Sequence, residues 1–252
     1  MKKTSILLFT LILGSSAFGH ELWVKAKNEN ILKAEIIYGH NFPHSESIPK
    51  DREVLFEPLS VINEKGNIKV NQEKEFYKYT SKENLEDGTY IIKAKYKPTA
   101  WIETKDNKWK MNKTRKDSKD EIKQCGIYSM FAKTILVVGD KETELSTSPV
   151  GNEFEITPLS KPSEIKEGVP IKFKVTKDGK PLKLLEVYGS PEGYSDSEMS
   201  MAFYAKTDLK GEFVFKALKK GFWYIKADYK QDSGNPDCEL IEDKTTISFQ
   251  VN

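Results

Sequence analysis

Three histidines, His20, His40 and His44, supply every imidazole in the 252-residue chain, and all three fall near its beginning. His20 directly follows a stretch built like a secretion signal. Lys2 and Lys3 come first, then an apolar run from Ile6 to Leu13, then the small-residue segment Gly14-Ser15-Ser16-Ala17-Phe18-Gly19. Cleavage before His20, with Ala17 and Gly19 at the small-residue positions, gives His20 a free α-amine. That amine and ring Nδ1 can chelate one metal ion, and another imidazole completes a T-shaped histidine brace. Such nitrogens suit Cu(II) and Ni(II), which accept tetragonal geometry, and Cu(II) has the higher intrinsic affinity. The amine has a reference pKa of about 8, so losing its proton to a metal costs little at neutral pH. Cleavage after Ala17 also satisfies the small-residue rule and exposes Phe18-Gly19-His20. The amine, two backbone amides and the imidazole would then bind Cu(II) or Ni(II) in a square plane.

The elements around these residues decide which imidazole can meet His20. Leu22 to Ala26 begins a strand, Ile31 to Tyr38 makes a second, and Asn28-Glu29-Asn30 is the turn between them. Counting outward from that turn brings the returning strand back to His20 near residue 38, so His40 is the best second ligand. Gly39 and Pro43 break the strand, which places His40 and His44 on a loop at its end. His44 is a third candidate, and Glu21 or Glu46 could add an oxygen. An isolated histidine is most often a hydrogen-bonding or titrating surface residue; three clustered behind an export signal bring metal binding level with that reading.

Further short strands are expected around Val54 to Phe56, Ser60 to Ile62 and Phe76 to Thr80. From Gly88 the alternation is clear: Tyr90, Ile92, Ala94 and Tyr96 form a core face, while Ile91, Lys93, Lys95 and Lys97 form a mostly wet one. Residues 98 to 124 hold Trp101 and Trp109 in a Lys-, Asp- and Asn-rich stretch without a sustained period, read as a long, partly ordered excursion. At most a turn or two of helix fits Asp117 to Lys123, and Ile127 to Val138 is a long strand. After a linker ending at Pro149, about seven short strands follow: 153–157, 170–176, 184–188, 201–207, 212–216, 222–229 and 245–251. Turn signals such as Asp178-Gly179 and Lys210-Gly211 separate them. The chain is therefore expected to be all-β, with a signal peptide over 1–19, an N-terminal β-sandwich over 20–147 that carries the histidines, and an immunoglobulin-like β-sandwich over 148–252.

Losing Lys2 and Lys3 takes the 40 basic side chains to 38, equal to the 38 acidic ones. A balanced, interspersed surface gives no electrostatic reason to expect nucleic acid or anionic lipid. The apolar run is too short to span a bilayer and no cysteine follows it, so the mature chain is expected to be soluble, exported and without a lipid anchor. Cys125 and Cys238 are the only cysteines. In an oxidising compartment one disulfide is the default, with two free thiols as the alternative. No Ser or Cys stands in a nucleophile context with a spare histidine, and no phosphate-binding loop occurs.

His20-Glu21-Leu22-Trp23 and Tyr38-Gly39-His40-Asn41-Phe42-Pro43 carry a family resemblance. With Gly151-Asn152-Glu153-Phe154, Asp178-Gly179-Lys180-Pro181 and Lys220-Gly221-Phe222-Trp223, the chain resembles exported bacterial proteins of a domain-of-unknown-function family linked to nickel or cobalt uptake, the NikK-like periplasmic components. The turns of the second half also occur in carboxypeptidase-regulatory and collagen-adhesin-B-like sandwiches. The resemblance implies a periplasmic accessory protein that binds Ni(II) or Co(II) through His20 and His40 and serves an inner-membrane metal-uptake transporter. Its activity is then reversible coordination, not catalysis. Two other readings stay open: a histidine-brace copper enzyme or copper-handling protein, and a surface interaction module without metal.

Overall fold

The first two strands, Glu21–Asn28 and Leu32–Gly39, pair as an antiparallel hairpin with Asn28 opposite Leu32 at the turn and Glu21 opposite Gly39 at the open end. The structure is a computed structural model that describes residues 19–195, 197 and 200–252. The expected signal segment up to Phe18 lies outside the described residues. Lys78–Ser81 and Val70–Gln72 widen the hairpin to a four-stranded sheet.

A nine-stranded sheet forms the centre of the molecule. In it Gly88–Thr104 runs antiparallel to Ile122–Val138, and Gly221–Asp232 antiparallel to Leu240–Val251. Leu240–Val251 also lies parallel to Ile122–Val138, from Leu240 against Gly126 to Ser248 against Thr134. That parallel pairing carries one sheet from the first half of the chain into the second. The third sheet contains Phe154–Pro158, Pro170–Lys177, Lys180–Pro181 and Glu212–Lys216.

Period-two alternation explains the layering. In Gly221–Asp232, Tyr224 joins Trp23 and Ile37 of the hairpin, whereas Trp223, Ile225 and Ala227 join Phe154, Phe173 and Phe215 of the third sheet. The two smaller sheets thus cover opposite faces of the central one, each over its own core. Leu22, Ile36, Tyr90 and Ile92 belong to the first core, and Phe173, Phe215, Trp223 and Ile247 to the second. The fold is all-β and built of sandwich layers, as expected. The segment at the expected 147/148 boundary is the 3-10 turn Glu144–Thr147.

The hairpin's outer edge is turned towards the central sheet rather than towards water. Thr246 Oγ1 donates to Leu22 O at 2.5 Å, and the Ser248 hydroxyl donates to Val24 O. Backbone acceptors on a buried strand edge need donors, and these hydroxyls supply them. The polar residues of the last strand thereby fix where the first strand lies.

Several expectations are corrected. Val54 lies in the 3-10 helix Lys50–Leu55 rather than a strand, and Phe56 forms only an isolated bridge with Tyr96. Asp117 ends the short 3-10 helix Arg115–Asp117, and residues 118–121 form no helix. Residues 98–124 are not a loose excursion. The strand from Gly88 runs on through a bulge after Tyr96 to Thr104, Trp109–Met111 folds back on it, and the next strand starts at Ile122. The face holding Lys93 and Lys95 is not simply wet either. Ile91 is buried, Lys93 Nζ donates to Val150 O at 3.1 Å, and Lys95 pairs with Glu153 at 2.6 Å, because the linker crosses this face.

Cys125 and Cys238 form a disulfide, both buried beside Ile102. It closes a loop between positions 113 residues apart. Replacing both cysteines by serine is expected to lower stability by about 2–4 kcal/mol in chemical denaturation, mainly through the freer unfolded chain. An unchanged denaturation midpoint would contradict that.

Next to it, Arg115 Nε and Nη2 donate to the two oxygens of Glu239 at 2.9 and 2.5 Å. These bonds hold the Glu239 carboxyl down at about 2, against an ordinary 4.5. A carboxyl depressed on folding stabilises fully above its unfolded pKa and loses that contribution as pH falls through its folded value. The wild-type chain is therefore expected to lose stability between about pH 4.5 and 2 more steeply than Glu239→Gln. Parallel acid titrations of the two proteins test this.

Candidate metal centre

The hairpin's open end builds the site. Because Glu21 faces Gly39, the next residues outward are His20 and His40, and their ring centroids lie 4.3 Å apart. After His40 the chain turns, with His44 N–H donating to Asn41 O at 2.7 Å, and folds back so that Glu46 N–H donates to Tyr38 O at 2.8 Å. That return bond sets the Glu46 carboxylate against both rings. His40 Nδ1 lies 2.6 Å from Glu46 Oε1, which also accepts the His40 backbone N–H at 3.0 Å. His20 Nε2 lies 3.2 Å from Glu46 Oε2. One ligand atom from each of His20, His40 and Glu46 falls within 4.8 Å of the others.

Gly39 makes room for this. A Cβ there would stand 2.9 Å from Glu46 Cγ and 3.1 Å from its Oε1. A Gly39→Ala variant is expected to push Glu46 away and weaken metal binding about tenfold. Calorimetric titration checks it, and an unchanged affinity would show that the carboxylate position is irrelevant.

The His20 ring stacks on Tyr38 with centroids 4.6 Å apart and planes at 6°. Tyr38 stacks in turn on Tyr96, whose hydroxyl accepts from Trp101 Nε1 at 2.9 Å. Trp101 therefore buttresses the rings under the site, whereas Trp109 packs on Tyr128 away from it. Burial and the neighbouring His40 lower the His20 pKa, against the opposing pull of Glu46. The hydrogen bond from His40 lowers the Glu46 pKa. Both shifts favour the species a cation needs, a neutral imidazole and an ionised carboxylate.

The other two candidates lie elsewhere. Glu21 points to the opposite face of its strand and is buried, with Oε1 accepting from Lys226 Nζ at 2.7 Å and Lys244 Nζ at 3.2 Å. Burial alone would raise its pKa, but Lys244 and Lys226 outweigh that and lower it. Lys244 Nζ also donates to Gly19 O and His20 O, at 3.2 and 3.3 Å, and so anchors the backbone that presents His20. His44 is exposed and stands outside the cluster of ligand atoms. Tyr38, Tyr96 and Lys244 support the site without having been singled out in the sequence. The parity of Tyr90, Ile92, Ala94 and Tyr96 carried a signal for Tyr96, and nothing local carried one for Lys244.

The family model described as Domain of unknown function (DUF4198) matches residues 17–231. The chain belongs to this family. The DUF4198 match spans the hairpin, the cluster and most of the second half, and stops at Gln231 near the end of the strand Gly221–Asp232. No curated protein matches the chain. Among solved structures it is similar to the D0-D1 domain of intimin, at 12% identity over 91% of this chain and 97% of that one, with a TM-score of 0.20. It is also similar to native alpha-2-macroglobulin from Escherichia coli spanning domains MG0-NIE-MG1, at 8% identity over 94% and 73%, with a TM-score of 0.23. Fibronectin(III)-like modules of CbhA from Clostridium thermocellum give 10% identity over 90% and 94%, with a TM-score of 0.20.

Proposed function

We propose that this chain is an exported accessory protein that binds a transition-metal ion reversibly through His20, His40 and Glu46. The observation that carries the reading is the convergence of these three donors at the open end of one hairpin. Two imidazoles and one carboxylate form a donor set for a borderline divalent ion such as Ni(II), Co(II) or Cu(II). Nε2 is the His20 nitrogen that faces Glu46, so after cleavage before His20 a brace through the α-amine and Nδ1 requires the ring to turn Nδ1 towards the site; that chemistry favours Cu(II), while the resemblance in the sequence favours Ni(II) or Co(II). The protein's part is to hold the two rings together, with the His20 pKa lowered, and to keep the Glu46 carboxylate ionised. Tyr38 fixes the plane of the His20 ring and Lys244 its backbone. Both imidazoles are partly exposed, which suits an ion that must be handed on to a periplasm-facing uptake transporter.

Competition titration of the processed protein with Ni(II), Co(II) and Cu(II), beside His20→Ala, tests the reading. The variant is expected to lose most of the affinity for the preferred ion; equal affinity would overturn the site.

A further inference from the structure

His20, His40 and Glu46 offer one ligand atom each, whereas Ni(II) and Co(II) take up to about six nitrogen or oxygen donors. His20 Nε2 and His40 Nδ1 both face the Glu46 carboxylate, so the donors stand on one side of an ion. The three side chains are 31%, 26% and 44% exposed, which leaves the other side open to a co-ligand from solution. His44 lies outside the cluster and Glu21 is held by Lys226 and Lys244, so neither fills that side.

A guanidinium beside the cluster says what kind of co-ligand fits. Only two of the 40 basic residues are arginines, Arg52 and Arg115, and Arg115 closes its fork on both oxygens of Glu239. Arg52, in the 3-10 helix that follows Glu46, is half-buried with its guanidinium carbon 5.1 Å from the centre of the Trp101 ring. Among the described residues no carboxylate pairs with it. Trp101 donates to Tyr96, Tyr96 stacks on Tyr38 and Tyr38 on His20, so Arg52 stands at the same end of the first core as the donors. Its charge is felt there: it adds to the lowering of the His20 pKa by burial and His40, and opposes the rise that burial gives Tyr38 and Tyr96. A divalent ion held by one carboxylate leaves the cluster positive, and Arg52 adds to that, so the co-ligand must be an anion. A planar guanidinium held against an aromatic ring presents its N–H fork to a carboxylate.

We propose that the cluster takes its ion as a complex with a small polycarboxylate chelator, one end of which fills the open coordination positions while another carboxylate pairs with Arg52. An incomplete, one-sided donor set next to a guanidinium with no carboxylate of its own is what selects this cargo. The inference rests on the metal reading of the cluster and names the form in which the ion arrives.

The test uses the full processed chain with Ni(II) and citrate as probes, native mass spectrometry for composition and calorimetry for affinity. A complex of protein, Ni(II) and citrate is expected. Arg52→Gln is expected to hold that complex about tenfold more weakly while binding Ni(II) alone as the wild type does, which also shows that the variant folds. The wild-type composition stands as a readout if it does not. Citrate that strips Ni(II) from the wild type or stays out of the complex, citrate that binds the metal-free chain equally well, unchanged affinity in Arg52→Gln, or an equal loss for Ni(II) alone would each overturn the chelate, leaving an ion completed by water. No Ni(II) binding with or without citrate would instead overturn the metal reading, and this inference with it.

Discussion

A His20→Ala/His40→Ala double variant is expected to bind Cu(II) or Ni(II) on the order of 1000-fold more weakly than the processed wild-type chain, a loss of about 4 kcal/mol. Both rings sit at the open end of a hairpin whose register is set by eight paired positions, so they are held together without the ion. Preorganisation of this kind means that removing the rings costs affinity and little stability. Both are partly exposed, and neither belongs to the first core. Glu46→Gln separates two roles for the carboxylate. If it ligates, the loss approaches that of a histidine; if it only orients the rings by hydrogen bonds, the loss is about 10–100-fold. His44→Ala is expected to leave the affinity unchanged. Isothermal titration with a competing chelator reads all three variants, and a double variant within tenfold of wild type would place the binding site elsewhere.

The second large effect concerns the joint between the halves. Lys133, in the long strand Ile122–Val138, donates to Glu155 Oε1 at 2.5 Å and to Thr157 Oγ1 at 3.3 Å, with both charged side chains 2% exposed. The same Glu155 oxygen accepts the Val150 N–H at 2.9 Å and so ties the linker to the joint. Burial lowers the Lys133 pKa against the opposing pull of Glu155. Glu155→Ala is expected to destabilise the protein by about 3–5 kcal/mol, because it strands an ammonium where water cannot reach it. Lys133→Met/Glu155→Leu is expected to recover most of that loss, since an apolar pair of similar volume avoids the desolvation of two charges. Urea denaturation of the three proteins decides it, and a loss below 1 kcal/mol in Glu155→Ala would mean that Lys133 finds another partner or sheds its proton.

Local sequence determined much of this protein. Alternation and turn residues delimit the hairpin and most strands of the second half to within a few residues, because strand faces and turn conformations are short-range properties. The hairpin arithmetic also singles out His40 over His44, since a turn fixes which residues meet across it. Even the exclusion of Glu21 was legible in parity, because neighbours on a strand point to opposite faces and His20 already points to the site. Tertiary structure alone decided what Glu21 does instead, because its lysine partners lie 205 and 223 residues along the chain. It alone chose Glu46 as the carboxylate, through a backbone bond to Tyr38 that no spacing rule foretells. The polar run over 98–124 reads as loop because its order comes from non-local pairing: a long strand, its returning partner and a disulfide to Cys238. The parallel pairing of Leu240–Val251 with Ile122–Val138 that unites the halves is of the same kind, set by packing between segments that no local pattern connects.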